Sequence, residues 1–324
     1  MLDGSGNGRE CPALLDDAKH VTQAALNFSR FILNTKNLRA LLGIVIAVSI
    51  AALAAWAAGQ GGIRAYGWPL LLFCAALSFG VQWLAFVPAY LLKTEKFYDL
   101  AGSATYLLLL AVVARFGPPR SWADVLLLGL CGLWALRLGL FLFLRVHKDG
   151  SDKRFAQIKT SFLRFAVSWT LQGLWVFLTL LPVLIVVSSS NWHSTTAWTL
   201  VGAAIWALGF ATEVVADWQK RQFRANPANA GKFIQTGLWA WSRHPNYAGE
   251  IVLWIGVFII CVPMLSGWQW IGIVSPLFVT LLITKVSGVP LLEASADKRW
   301  GNDADYVRYK QSTPVLWPSA KRRE

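Results

Sequence analysis

Two stretches carry residue types that can do chemistry. Ser242 to Trp254 reads SRHPNYAGEIVLW, which sets Arg, His, Asn, Tyr and Glu at the mouth of an apolar run. Upstream, EVVADWQKRQFR spaces Glu213, Asp217, Lys220 or Arg221, and Arg224 so that they share one stripe of one helix. Pro245 suits a first helical turn, where its missing N–H is an orphan anyway. Arg243, Asn246 with Tyr247, Glu250 and Trp254 then fall on one face. Polar groups beside hydrocarbon are costly unless paired or solvated. Two such stripes pointing at one surface suit a ligand that is anionic at one end and amphipathic at the other. The plainer alternative is a row of i,i+4 ion pairs on a solvated face, each worth roughly 0.2–0.5 kcal/mol.

The elements that must hold these stripes are membrane helices. The chain has 324 residues, 56% of them hydrophobic, with 18 Trp and only 15% charged; soluble domains are nearer a quarter charged. Apolar stretches at about 40–58, 68–92, 100–116, 122–146, 162–187, 196–216, 249–263 and 268–290 are candidates to cross a bilayer. The seventh is short for a span. The first begins too late for a cleaved signal peptide and is counted as a span. Spanning segments satisfy their own backbone, so the expected fold is all-α, a polytopic protein of seven or eight transmembrane helices with cytoplasmic cofactor-binding loops. The expected organisation is a polar arm over 1–39, an additional transmembrane helix over 40–66 and one membrane domain over 67–324.

The net charge of +13 has a topological origin. Lys and Arg alternate strongly between loops: 24 collect on one set of faces and three, Arg64, Arg115 and Arg120, on the other. The positive-inside rule then places both termini in the cytoplasm, of a bacterial inner membrane or the endoplasmic reticulum. This pattern argues against a nucleic-acid partner. Four Cys and four His are scattered without metal-ligand spacing, so no metal is expected. GSGNG and GQGG neither follow a strand nor open a βαβ unit, which excludes a Rossmann nucleotide site. The expected partners are the lipid bilayer and a lipophilic small molecule.

The stretch ADWQKRQFRANPANAGKFIQTGLWAWSRHPNYAGEIVLW closely resembles the C-terminal membrane region of the steroid 5α-reductase superfamily, nearest its DUF1295 branch. Sterol Δ14 and Δ7 reductases share a related Arg-His-Pro-Asn-Tyr-x-Gly-acid motif. The likeness extends over residues 68–318, through LRLGLFLFLR, GVPLLE and DYVRYKQSTPVLWP, and is most specific over 217–254. It implies an NADPH-dependent reductase of a carbon–carbon double bond in a steroid-, sterol- or enone-like substrate. Carried over by motif, Asp217, Arg221, Arg224, Asn246, Tyr247 and Glu250 would line the cofactor site, with Lys232 and Arg243 as added basic partners. Arginine forks suit a 2′-phosphate, and the faces of Tyr247 or Trp218 suit the cofactor rings.

The proton donor departs from the family pattern. Where 5α-reductases have a tyrosine and a glutamate that polarise the enone, this chain aligns Trp134 and Trp83, beside a retained Gln82. Trp134 and Gln82 are the expected substrate contacts. KTEKFYDLAGS supplies Glu95 and Tyr98 as substitute catalytic groups, unless they merely cap and anchor the third span. Arg137 lies about 12 Å deeper than Arg145 along a helix and must meet either an acid such as Glu213 or the cofactor. Membrane methyltransferases of the isoprenylcysteine and phospholipid type end in a similar motif around S-adenosylmethionine. That cofactor carries no phosphates to call for so many basic groups. A membrane scaffold with purely structural polar faces is the third reading.

The charge alternation predicts Asn191 outside and Asn246 inside. In intact cells an impermeant thiol reagent should modify Asn191→Cys and spare Asn246→Cys; the reverse pattern would invert the topology.

Overall fold

The computed structural model describes residues 35–60, 62–118, 121–149, 155–189 and 195–317, without the side chains of 145–149. Most of the N-terminal arm (1–34), Arg120, Asn191 and the basic residues at 321–323 lie outside the described residues.

Among the described residues, eight helical segments are long and apolar enough to cross a membrane. The first six are single helices: α1 (Thr35–Ala58), α2 (Leu70–Leu91), α3 (Tyr98–Phe116), α4 (Trp122–Asp149), α5 (Phe162–Val187) and α6 (Ala197–Ala225). A two-residue hairpin, β1 (Arg64–Ala65) with β2 (Trp68–Pro69), joins α1 to α2. The seventh is α7 (Pro245–Cys261), extended by a 3₁₀ turn to Met264. It starts four residues before the apolar run, because the polar motif is itself the first helical turn.

The eighth segment, expected as one helix over 268–290, is composite. A 3₁₀ stretch (Gly267–Ile273) leads into α8 (Val274–Leu281), a π turn (Leu282–Val286) and α9 (Val289–Trp300), and α10 (Ala304–Ser312) follows. Pro290 sits in the first turn of α9, where a proline starts a helix but cannot continue one.

The core is built around α5. From Leu174 to Val187 every residue except Trp175 is buried. Helices α1, α2, α3 and α8 all pack on it. Helix α1 does so with an alanine face, Ala47, Ala51, Ala54, Ala55 and Ala58, since small side chains let helices approach closely in lipid.

The tightest pair is α6 with α7, antiparallel and in backbone contact. A methyl group on Gly209 would lie 2.5 Å from Leu253 N and 2.7 Å from the Gly249 carbonyl. One on Gly249 would lie 2.6 Å from Glu213 N. Gly202 and Gly256 meet in the same way one heptad further along. Spacings of seven keep all four glycines on the seam.

Gly209→Ala should therefore force the helices apart and lower stability by about 1–3 kcal/mol, the usual cost of overpacking. Thermal unfolding in detergent measures this. Gly80→Ala, a position with open space around it, is the control and should change little.

Candidate functional site

The glycine seam brings the acid-bearing turns of α6 and α7 together, and α4 delivers a cation to them. Arg137 forks between two carboxylates: Nη1 donates to Glu213 and Nη2 to Asp217. One turn before it on α4, the Trp134 indole N–H donates to the other Glu213 oxygen at 3.2 Å. Trp134 is fully buried and Glu213 is 3% exposed. The Arg137 guanidinium also rests 5.4 Å from the Phe141 ring centre. An unpaired arginine at this depth costs at least about 2.5 kcal/mol; the two carboxylates offset that.

Glu250 is the odd member. It is 8% exposed, lies within electrostatic reach of Glu213, Asp217 and Arg137, and has no hydrogen bond or ion pair among the described residues. One turn earlier, the Asn246 carboxamide oxygen is enclosed and likewise lacks a partner. Two hydrogen-bond acceptors thus stand unmatched at the start of α7. The basic groups lie further out. Helix α6 continues nine residues past its expected end, so Arg221 and Arg224 ride on an exposed extension, and Lys232 is exposed on the loop that follows. Trp218 is half exposed on the same extension.

Arg243 and His244 do a different job. Arg243 Nη1 reaches Glu293 at 2.8 Å and His244 Nε2 reaches the other Glu293 oxygen at 2.7 Å. Their backbone N–H groups donate to the carbonyls of Pro314 and Val315 at 2.9 and 3.1 Å. Lys310 joins Asp297 at 2.7 Å, and the Tyr306 hydroxyl donates to Asp297 at 2.9 Å. Burial, with Asp297 holding its proton, pushes the Tyr306 phenol above its ordinary range. This clasp ties α9, α10 and the segment after them to the loop before α7. It borders a cleft of about 550 Å³ lined by Arg243, Asp297, Tyr306 and Lys310. Tyr247 stacks on His244, with ring centres 5.8 Å apart, and packs beneath Gly288.

The remaining expected residues sit apart from the Arg137 group. Glu95 is paired with Lys159 at 2.8 Å. The Tyr98 hydroxyl donates to the Ser168 carbonyl at 2.9 Å, and its ring packs between Phe155 and Trp169 in a separate aromatic cluster. Gln82 is fully buried and donates to Thr105 at 2.8 Å. Sequence reasoning missed the glycine seam, whose signal is the repeated spacing of seven. It also missed Glu293 and Asp297, whose i,i+4 spacing is visible but whose distant partners are not. No group of three His, Cys, Asp or Glu is placed to hold a metal among the described residues.

A family profile described as "Protein of unknown function (DUF1295)" matches residues 85–313, well over half of the chain. The chain belongs to the DUF1295 family. Among relatives of this DUF1295 protein, the uncharacterized protein C594.04c of Schizosaccharomyces pombe is 26% identical over 127 residues, covering 32% of this chain and 37% of that one. The probable O-methyltransferase ustE of Ustilaginoidea virens is 35% identical over 66 residues, covering 20% of this chain and 23% of its own. The chain thus spans well under half the length of either relative. No solved structure matches it.

Removing the cation should expose the carboxylates' dependence on it. Arg137→Leu leaves Glu213 and Asp217 unpartnered and should cost about 3–5 kcal/mol in detergent unfolding. Adding Glu213→Gln and Asp217→Asn should recover most of that loss. A stable Arg137→Leu single variant would contradict the pairing.

Proposed function

We propose that this DUF1295 protein is a membrane-embedded, NADPH-dependent reductase of a carbon–carbon double bond in a lipophilic substrate. The observation that carries the reading is the sorting of unmatched groups along the α6–α7 pair. Glu250 and the Asn246 oxygen are enclosed acceptors that call for N–H donors. Arg221 and Lys232 are exposed cations that call for anions. Arg224 lies seven residues beyond Asp217, about 10 Å along the helix. A ligand with a carboxamide at one end and phosphates at the other meets both demands.

Bound there, NADPH would supply a hydride to an activated alkene. The chain's own residues would hold and orient it. Asn246 and Glu250 would accept from the carboxamide, Asp217 and Glu213 are kept in place by Arg137, and the α6 extension would hold phosphate oxygens with charge-assisted hydrogen bonds. The resemblance of the 217–254 block to 5α-reductases supports the same assignment. Glu95 and Tyr98 are already engaged with Lys159 and Ser168, which weighs against them as the substrate's donors.

A second reading, an S-adenosylmethionine-dependent methyltransferase, is favoured by the short match to a probable O-methyltransferase. A sulfonium would suit an unpaired carboxylate at Glu250. It leaves the basic α6 extension without a counterpart.

Arg221→Ala or Arg224→Ala should weaken NADPH binding by about 1.5–3 kcal/mol, the weight of a charged hydrogen bond. The loss for NADH should be smaller if the contact is to the 2′-phosphate. Equal losses for both would move the contact to the pyrophosphate, and no loss would return the extension to a solvated helix face. Asn246→Ala and Glu250→Gln should lower NADPH oxidation with a panel of conjugated lipids. Wild-type affinity and rate in both variants would make the motif a folding element only.

A further inference from the structure

The end of α2 places a lysine where the backbone favours glycine. Thr94 N–H donates to the Ala89 carbonyl at 3.0 Å and Lys93 N–H to the Tyr90 carbonyl at 3.3 Å. That pair of bonds closes a helix around one left-handed residue, and Lys93 takes the position with φ +50°. A Cβ is costly there and glycine is at ease. Chain folding alone therefore disfavours this side chain, which points to a role for its ammonium. The ammonium lies over the Tyr90 ring, 3.4 Å from its centre, and has no carboxylate partner among the described residues. Glu95, the nearest acid in sequence, is buried and held by Lys159 at 2.8 Å. Lys96 and Arg164 are exposed and likewise lack a carboxylate partner among the described residues.

An apolar track leads up to these cations. Leu84, Val87 and Leu91 are exposed and share one stripe of α2. Phe162, exposed in the first turn of α5, meets Tyr90 edge-on at 5.1 Å and Phe86 at 5.2 Å. That contact sets the start of α5, with Arg164, at the same end as Lys93. We propose that the track holds an anionic phospholipid, its acyl chain along α2 and its headgroup phosphate on the Lys93 ammonium. Charge decides the occupant. Three cations at this end lack a carboxylate, a lysine–phosphate contact is a charge-assisted hydrogen bond, and each basic group near an anionic lipid surface favours it about fivefold. A zwitterionic lipid brings its own ammonium and leaves the cations unbalanced. The inference stands apart from the reaction assigned to the α6–α7 pair.

The test uses the full chain in nanodiscs of phosphatidylcholine, with and without a minor share of phosphatidylglycerol. Native mass spectrometry reads which lipid stays bound, and thermal unfolding reads the stability that each lipid adds. Wild type should retain phosphatidylglycerol over phosphatidylcholine by about fivefold or more after correction for composition, and should unfold at a higher temperature with it. Lys93→Gln removes the charge and keeps the backbone cost, whereas Lys93→Gly removes both. Both variants should lose most of the preference and of the added stability, and in phosphatidylcholine alone the glycine variant should unfold at the higher temperature of the two. Lys298→Gln, which removes an exposed charge on α9, should keep the wild-type preference. No preference in wild type would overturn the proposal, as would a preference kept by both Lys93 variants. An equal loss in Lys298→Gln would overturn it too, by assigning the attraction to the basic surface as a whole.

Discussion

Two helices can meet backbone to backbone only where neither places a side chain in the contact, and α6 and α7 meet that condition at four glycines. The consequence is chemical as well as mechanical. With Gly249 packed on the Glu213 backbone, the neighbouring Glu250 has to share its surroundings with Glu213 and Asp217. Three carboxyl groups are thereby gathered around one guanidinium. Arg137 has two N–H edges and gives them to two of the acids, so the third is left for something else to satisfy. The site follows from a packing constraint followed by a charge count.

Around that point the chain arranges polarity in layers. Exposed cations lie on the α6 extension and the loop after it, and the unmatched acceptors lie at the start of α7. The clasp formed by Arg243, His244 and Glu293 does not add to the layers; it holds the loop that aims them. It explains why the basic and imidazole members of the motif face the C-terminal helices while Glu250, further along α7, lies near Glu213 and Asp217 of α6. A bound molecule that satisfies both layers presents N–H donors at one end and anions at the other.

Hydropathy was enough to locate the eight helical segments that are long and apolar enough to cross a membrane among the described residues, because the bilayer leaves long apolar runs few alternatives to helix. It misjudged the places where polar residues continue or interrupt a helix. The α6 extension past 216 and the start of α7 at Pro245 are both helical turns made of charged and amide residues. The break at Ser287–Gly288 is set by Pro290 and by the packing of Tyr247. Within the site, Arg137 with Glu213 was one of two legible outcomes, since an arginine at that depth has to find an acid or a bound cofactor. The second acid, Asp217, lies one turn away on the same stripe. Arg243 shows the limit of such reasoning. Local spacing put it beside Glu250, whereas its partner is Glu293, fifty residues on, and only the tertiary fold brings the two together.

The same layers bear on the choice between a phosphate-bearing dinucleotide and a sulfonium. Both would present donors or positive charge to Glu250 and Asn246. Only the dinucleotide also carries anions to the exposed arginines of α6. The decisive measurement is a calorimetric titration of the purified protein with NADPH and, side by side, with S-adenosylmethionine. The account predicts saturable NADPH binding that weakens with rising salt, and no binding of S-adenosylmethionine. Binding of S-adenosylmethionine with none of NADPH would contradict it.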